Sequence, residues 1–112
     1  MIRDKMKLVL DGKSVAGESE VISNAVGEML FVQVDGTASA FTLQVQGRCN
    51  RGSGEFVNLT GFDGAFNTKN SVTSTGVYTY YVEGMTELKV NLVSVVGGAI
   101  SVYAMTTTSG GN

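Results

Sequence analysis

The sequence predicts an all-β protein: a single antiparallel β-sandwich, jelly-roll or Ig-like, built from about seven to nine short strands. Three observations carry this reading. Apolar and polar residues alternate with a period of two in several segments, as in strands with one buried face. Fifteen glycines and no proline punctuate the chain, with Asp-Gly at 11–12, 35–36 and 63–64 and Gly-Gly at 97–98, dipeptides that favour hairpin turns. No segment shows a convincing helical repeat, although a short helical turn at Asn24–Glu28 is compatible with the pattern. With 112 residues the chain has room for one core, and it divides into an N-terminal arm (1–5), a sandwich domain (6–105) and a polar, flexible Gly/Ser/Thr tail (106–112).

The elements follow in order. Lys5–Leu10 alternates, with Met6, Leu8 and Leu10 on one face, and Asp11-Gly12 closes it. A weaker strand is expected around Glu20–Ile22. Met29–Asp35 is strongly apolar and stops at Asp35-Gly36. Ala40–Arg48 alternates most clearly, with Phe41, Leu43 and Val45 inward and Thr42, Gln44 and Gln46 outward. A Gly-rich loop at 50–54 leads into a strand at Glu55–Leu59, and one short strand is expected near Ala65–Asn67 within a looped stretch. Val77–Val82 is rich in aromatic and β-branched residues. In the last two strands, Leu88, Val90 and Leu92 face inward, as do Ile100, Val102 and Ala104. These two strands are expected to form a hairpin, in which a three-residue connection at 96–98 sets Leu92 opposite Val102 and Val90 opposite Ala104, so an odd-length loop with Gly at positive φ is expected.

Composition narrows the chemistry. Ten acidic and eight basic residues give a net charge of −2, and the cations are dispersed, so nucleic acid is not expected as a partner. No apolar run approaches a membrane span, and the charged start carries no apolar stretch of a secretory signal. The chain has no histidine and one cysteine, Cys49, which excludes histidine-based nucleophile arrangements, Cys/His zinc sites and an intrachain disulfide. Cys49 follows Arg48, and a small, partly buried side chain at a strand end accounts for it better than a reactive thiol. Asp35, Glu55, Asp63 and Glu83 each border a turn, where backbone hydrogen bonding explains a carboxylate without catalysis. Asp63 and Asn67 offer two oxygen ligands, short of a calcium loop. No catalytic, cofactor or metal site is expected, and the chain is read as a non-enzyme.

Outward aromatics remain. At least one of Tyr78, Tyr80 and Tyr81 must leave its strand outward, and Tyr103 points outward in the last strand. Tyrosine suits interfaces because its rigid amphipathic body loses little entropy on ordering, although outward tyrosine also suits β-structure for its own sake.

From Gly76 to Val102 the chain reads Gly-Val-Tyr, a strand, Val-Glu-Gly-Met, a Leu-Lys-Val strand, Gly-Gly and a final strand. Leu30–Leu59 adds a Val-Asp-Gly-Thr turn, an alternating strand, a Gly-rich loop and Phe-Val-Asn-Leu. This pattern resembles small β-sandwich virion proteins of tailed bacteriophages and prophages, of the head-decoration or head-fibre class. The resemblance implies a non-enzymatic capsid decoration protein, made in the bacterial cytoplasm and bound to the capsid exterior. Its implied partners are the major capsid protein and neighbouring copies of itself. Arg3, Lys5 and Lys7 would then meet acidic capsid surface, and Tyr78, Tyr80, Tyr81 and Tyr103 would line the contact. The alternative implied is a tail-fibre or baseplate module docking a host-surface glycan through Tyr78–Tyr81. That version ranks second because the chain has no tryptophan for sugar stacking.

Overall fold

The computed structural model describes residues 6–24, 27–49 and 54–107, which form two antiparallel sheets packed face to face. Eleven strands run in the order β1 (Lys7–Lys13), β2 (Gly17–Glu18), β3 (Ile22–Ser23), β4 (Met29–Gly36), β5 (Ala40–Arg48), β6 (Val57–Asn58), β7 (Gly61–Phe62), β8 (Thr68–Lys69), β9 (Gly76–Tyr81), β10 (Glu87–Val96) and β11 (Ile100–Thr107). The six-stranded sheet has the order β1-β11-β4-β9-β7-β8. The five-stranded sheet has the order β2-β10-β5-β6, with β3 also on β10. The strands beyond the expected seven to nine are two-residue pieces at sheet margins. No helix occurs among the described residues, and β11 runs two residues past the expected domain end at 105.

Alternation fixes what is buried. Leu30, Val32 and Val34 of β4, Tyr78 and Tyr80 of β9, and Ile100, Val102 and Ala104 of β11 face the core from one sheet. Leu43 and Val45 of β5 and Leu88, Val90 and Leu92 of β10 meet them from the other. Each large side chain fully removed from water contributes about 1.5–3 kcal/mol, so the sandwich is held by this layer without a disulfide.

The expected hairpin between the last two strands does not form. β10 pairs with β5, whereas β11 pairs with β4 and β1 in the opposite sheet. Leu92 and Val102 thus belong to facing layers, and the glycine pair at 97–98 carries the chain across the sandwich. Both glycines do adopt positive φ, at 71° and 152°. A β-carbon on Gly98 would stand 2.6 Å from the Thr37 carbonyl carbon, because this crossing touches the β4–β5 crossing, and Thr37 N–H donates to Ala99 O at 2.9 Å. Asp35-Gly36 also marks a change of sheet, and Asp11-Gly12 lies within β1. Gly12, at φ 57°, sits in a register shift, and its N–H donates to Ser101 Oγ instead of a ladder carbonyl. Only Asp63-Gly64 turns a tight hairpin, between β7 and β8.

The register shifts also correct the reading of β1. Leu8 opposes Tyr103 and Leu10 opposes Val102, so Val9 is an extra residue, Leu10 enters the core and Leu8 faces solvent. Sheet margins are stitched by single side chains. Ser19 bridges the gap between β2 and β3, donating its N–H to Val90 O and accepting Val90 N–H on Oγ at 2.9 Å. Asn24, 3% exposed, ties two loops together. Its Nδ2 donates to Gly27 O, Val82 O and Met85 O, and its Oδ1 accepts from Gly27 N–H.

Candidate interaction surface

The outward faces of the two sheets are built from the same alternation and differ in chemistry. On the five-stranded sheet, β5 presents Thr42, Gln44, Gln46 and Arg48, opposite Ser94, Asn91, Lys89 and Glu87 of β10. These groups answer one another. Arg48 pairs with Glu87 at 2.7 Å, Lys89 with Glu18 at 3.1 Å, and Gln46 Nε2 donates to Asn58 Oδ1 at 2.8 Å. The one aromatic here, Phe56, lies beneath Arg48 and Lys89, each 4.4 Å from its ring centre.

On the six-stranded sheet, the register builds three rows across the outer face. The first is Leu8, Tyr103, Gln33 and Val77; the second Met105, Phe31, Thr79 and Phe62; the third Thr107, Met29 and Tyr81. The only charged residue that β4, β9 and β11 send outward is Asp35, which accepts a hydrogen bond from Gln33 Nε2 at 3.1 Å. Leu8, Val77 and Tyr81 are 41%, 51% and 71% exposed, while the residues between them are half-buried against one another. An apolar tract of this extent, rimmed by polar groups, is the usual chemistry of a contact surface.

The tyrosines expected to act together are divided by this geometry. Tyr103 and Tyr81 lie on the apolar face, in the first and third rows, with the Phe31 row between them. Tyr78 and Tyr80 point the other way and are 3% and 2% exposed, which removes them from any contact available to the folded chain. The correction follows from strand geometry: alternate residues of β9 must share the inner face, and burying two aromatic rings outweighs exposing them. Tyr78 donates its hydroxyl to Ser74 O at 2.7 Å, and burial pushes the Tyr80 hydroxyl well above its ordinary pKa. Lys7 is exposed at the start of the edge strand β1, opposite Ala104 and next to Leu8 of the first row; Arg3 and Lys5 lie outside the described residues. Cys49 is exposed rather than partly buried. Asp63 Oδ1 accepts N–H bonds from Ala65 and Asn67, both at 2.9 Å, so turn geometry accounts for it. Among the described residues no group of three or more Asp, Glu, Cys or His forms a metal cluster.

Sequence reasoning passed over Phe31, Met29, Phe62 and Met105. The signal was present in β4, where Met29–Val34 is apolar at almost every position. A strand buried on one face alternates, whereas one covered on both faces does not.

No family model matches the chain, and no curated protein matches it either. Among solved structures, the SPBc2 prophage-derived protein YomS superimposes with a TM-score of 0.79 at 17% identity, over 92% of each chain. The PBSX exported protein XepA gives 0.84 at 20% identity, over 91% of this chain and 37% of its own length. The chain thus spans a little over a third of XepA and nearly all of YomS, and it shares their fold.

Proposed function

We propose that this chain is a non-enzymatic structural protein of a phage virion, a capsid decoration protein that binds the outer capsid surface and stabilises the shell. The observation that carries the reading is the largely apolar outer face of the six-stranded sheet, where β4, β9 and β11 present a single charge, Asp35, set against a second sheet whose outward charges pair with one another. Two prophage-derived proteins built on the same fold support a phage setting. In this role a rigid module lays its apolar face across neighbouring capsomers and opposes their separation. Many copies acting together turn modest single contacts into firm attachment. The host-glycan reading ranks below it, since Tyr78 and Tyr80 belong to the core and leave Tyr81 as the only exposed ring of that trio.

Mass spectrometry of highly purified virions tests this directly. The protein is expected at a stoichiometry near that of a capsomer component, and recombinant protein is expected to rebind stripped capsids. Its absence from virions, or binding to susceptible cells but not to capsids, would sink the proposal.

A further inference from the structure

The tip of the β7–β8 hairpin holds an aromatic side chain out of the protein at some expense. Phe66 adopts φ 64°, a left-handed conformation that a residue with a β-carbon rarely takes without strain. Its side chain is the most exposed of the described large hydrophobics, at 85%. Five hydrogen bonds pin the loop. The Asp63 carboxylate accepts from Ala65 N–H, Asn67 N–H and Asn67 Nδ2, Phe66 N–H donates to Asp63 O, and Asp63 N–H donates to Asn67 O. The Asn67 N–H, outweighing an opposing desolvation and helped by the Ala65 N–H, the Asn67 side chain and the Lys69 charge, holds the Asp63 carboxyl below its ordinary pKa. An aromatic ordered in advance loses little freedom on binding, as an anchor residue requires.

An apolar cleft of sufficient volume for a phenyl ring lies at the opposite edge of the six-stranded sheet. Between β1 and β3, where the margins of the two sheets part, a cleft of about 320 Å³ is lined by Lys7, Val9, Ile22, Leu30, Ala104 and Met105, with Thr106 at its rim. A cavity of about 150 Å³ with aliphatic walls already takes up benzene, so a phenyl ring fits with room for its β-carbon. β1 and β8 are the two margins of the six-stranded sheet, five strand spacings or about 24 Å apart, so Phe66 cannot reach the cleft of its own chain. The charges also match. Lys7 is the one charged side chain among the described lining residues, and Asp63 is the one charge in loop 63–67.

We propose that Phe66 of one copy seats in the β1–β3 cleft of a neighbouring copy, so that the chain assembles head to tail through knob and cleft. Such a contact uses different surfaces on the two partners, leaves a free knob and a free cleft at its ends, and repeats until a ring closes or a chain runs on. It goes beyond the virion reading by naming a self-contact, and it is testable without a virion.

Sedimentation velocity on the full chain at about 100 μM, well above a micromolar dissociation constant, provides the test. Two variants accompany it: Phe66→Ala, with its cleft intact, and Ile22→Arg, with its knob intact and its cleft blocked. The wild-type chain is expected to sediment as species larger than a dimer, and each variant alone as a monomer. An equimolar mixture of the two variants is expected to give a heterodimer and nothing larger, since it contains one working knob and one working cleft. Circular dichroism melts establish that both variants fold, and Val9→Arg replaces Ile22→Arg if the latter does not. A monomeric wild type, assembly that survives Phe66→Ala, or a mixture that stays monomeric overturns the proposal. Phe66-dependent binding of a monomeric chain to anionic lipid vesicles also overturns it. A monomeric chain that is nevertheless present in virions would defeat this inference and leave the virion reading standing.

Discussion

The two outer faces of the sandwich face solvent with opposite chemistry. On the five-stranded sheet, Arg48 meets Glu87, Lys89 meets Glu18, Gln46 meets Asn58, and the lone ring of Phe56 is covered by two cations. Across the six-stranded sheet, the corresponding outward positions hold Leu8, Met29, Phe31, Phe62, Val77, Tyr81, Tyr103 and Met105, and no described element covers them. Both sheets bury their inner faces to a similar degree, so the difference does not arise from folding. The exposed Val57, Val93 and Val96 of the five-stranded sheet are scattered and need no explanation, whereas rows of apolar side chains running across four strands are the usual chemistry of a contact surface.

Substitutions that separate inner from outer, and one face from the other, sharpen this comparison. Tyr80 and Tyr81 are adjacent in β9 and point to opposite sides. Tyr80→Ala is expected to lose about 3–5 kcal/mol of stability through the cavity it leaves. Tyr81→Ala is expected to stay within about 0.5 kcal/mol of wild type. Calorimetric melting compares the two, and equal losses would mean that the inner and outer assignments of β9 are wrong.

Placing a charge at the middle of the apolar face comes next. Phe31→Lys is expected to weaken binding to stripped capsids by about 30-fold or more, corresponding to at least 2 kcal/mol at the centre of an interface. Gln44→Lys on the other face should change binding less than twofold. If Gln44→Lys has the larger effect, the faces have been assigned the wrong way round.

A smaller effect is expected from Arg48→Ala. Arg48 is half-buried, pairs with Glu87, donates to Gly54 O and covers Phe56, so its loss should lower stability by about 1–2 kcal/mol while capsid binding stays unchanged. Chemical denaturation and a binding isotherm on the same variant check both halves of this expectation.

The smallest effect concerns alkaline pH. The Tyr80 hydroxyl has a folded-state pKa raised by burial above its unfolded value near 10, so its contribution is constant below about pH 10 and declines as pH rises further, by at most about 1.4 kcal/mol per pH unit. Tyr80→Phe should flatten that part of the stability–pH profile, measured as denaturant midpoints from pH 8 to pH 11. An unchanged slope would show that the hydroxyl is not buried.

Much of this fold was legible in the sequence. Ala40–Arg48 matched its strand at both ends, and the inward sets of β5, β10 and β11 were read correctly. A period-two pattern reports burial of one face, and burial is what selects it. Strand pairing was not legible. Asp-Gly and Gly-Gly supply positive φ to a hairpin, a bulge or a crossing between sheets alike, so 11–12, 35–36 and 97–98 read as hairpins and served other purposes. The interaction face was half legible. Tyr103 was read as outward, as was at least one of Tyr78, Tyr80 and Tyr81, but the sequence did not select which; the pleat of β9 turns Tyr81 outward and buries Tyr78 and Tyr80. Phe31 was hidden within an apolar run whose inner half accounted for all of it. Phe66 fell within the short strand expected near Ala65–Asn67, whereas those residues form the β7–β8 loop, where hydrogen bonds to Asp63 hold Phe66 in a left-handed conformation.

In the proposed role, the outer face of the six-stranded sheet is the surface this protein gives to the virion. Hydroxyl-radical footprinting tests it on free protein and on intact particles side by side, with Met29 and Met105 as oxidation-sensitive reporters of one face and Phe56 of the other. Oxidation of Met29, Met105 and Tyr81 is expected to fall at least fivefold on the particle, with Phe56 unchanged. Equal labelling of Met29 and Met105 in both states, or protection confined to Phe56, would contradict it.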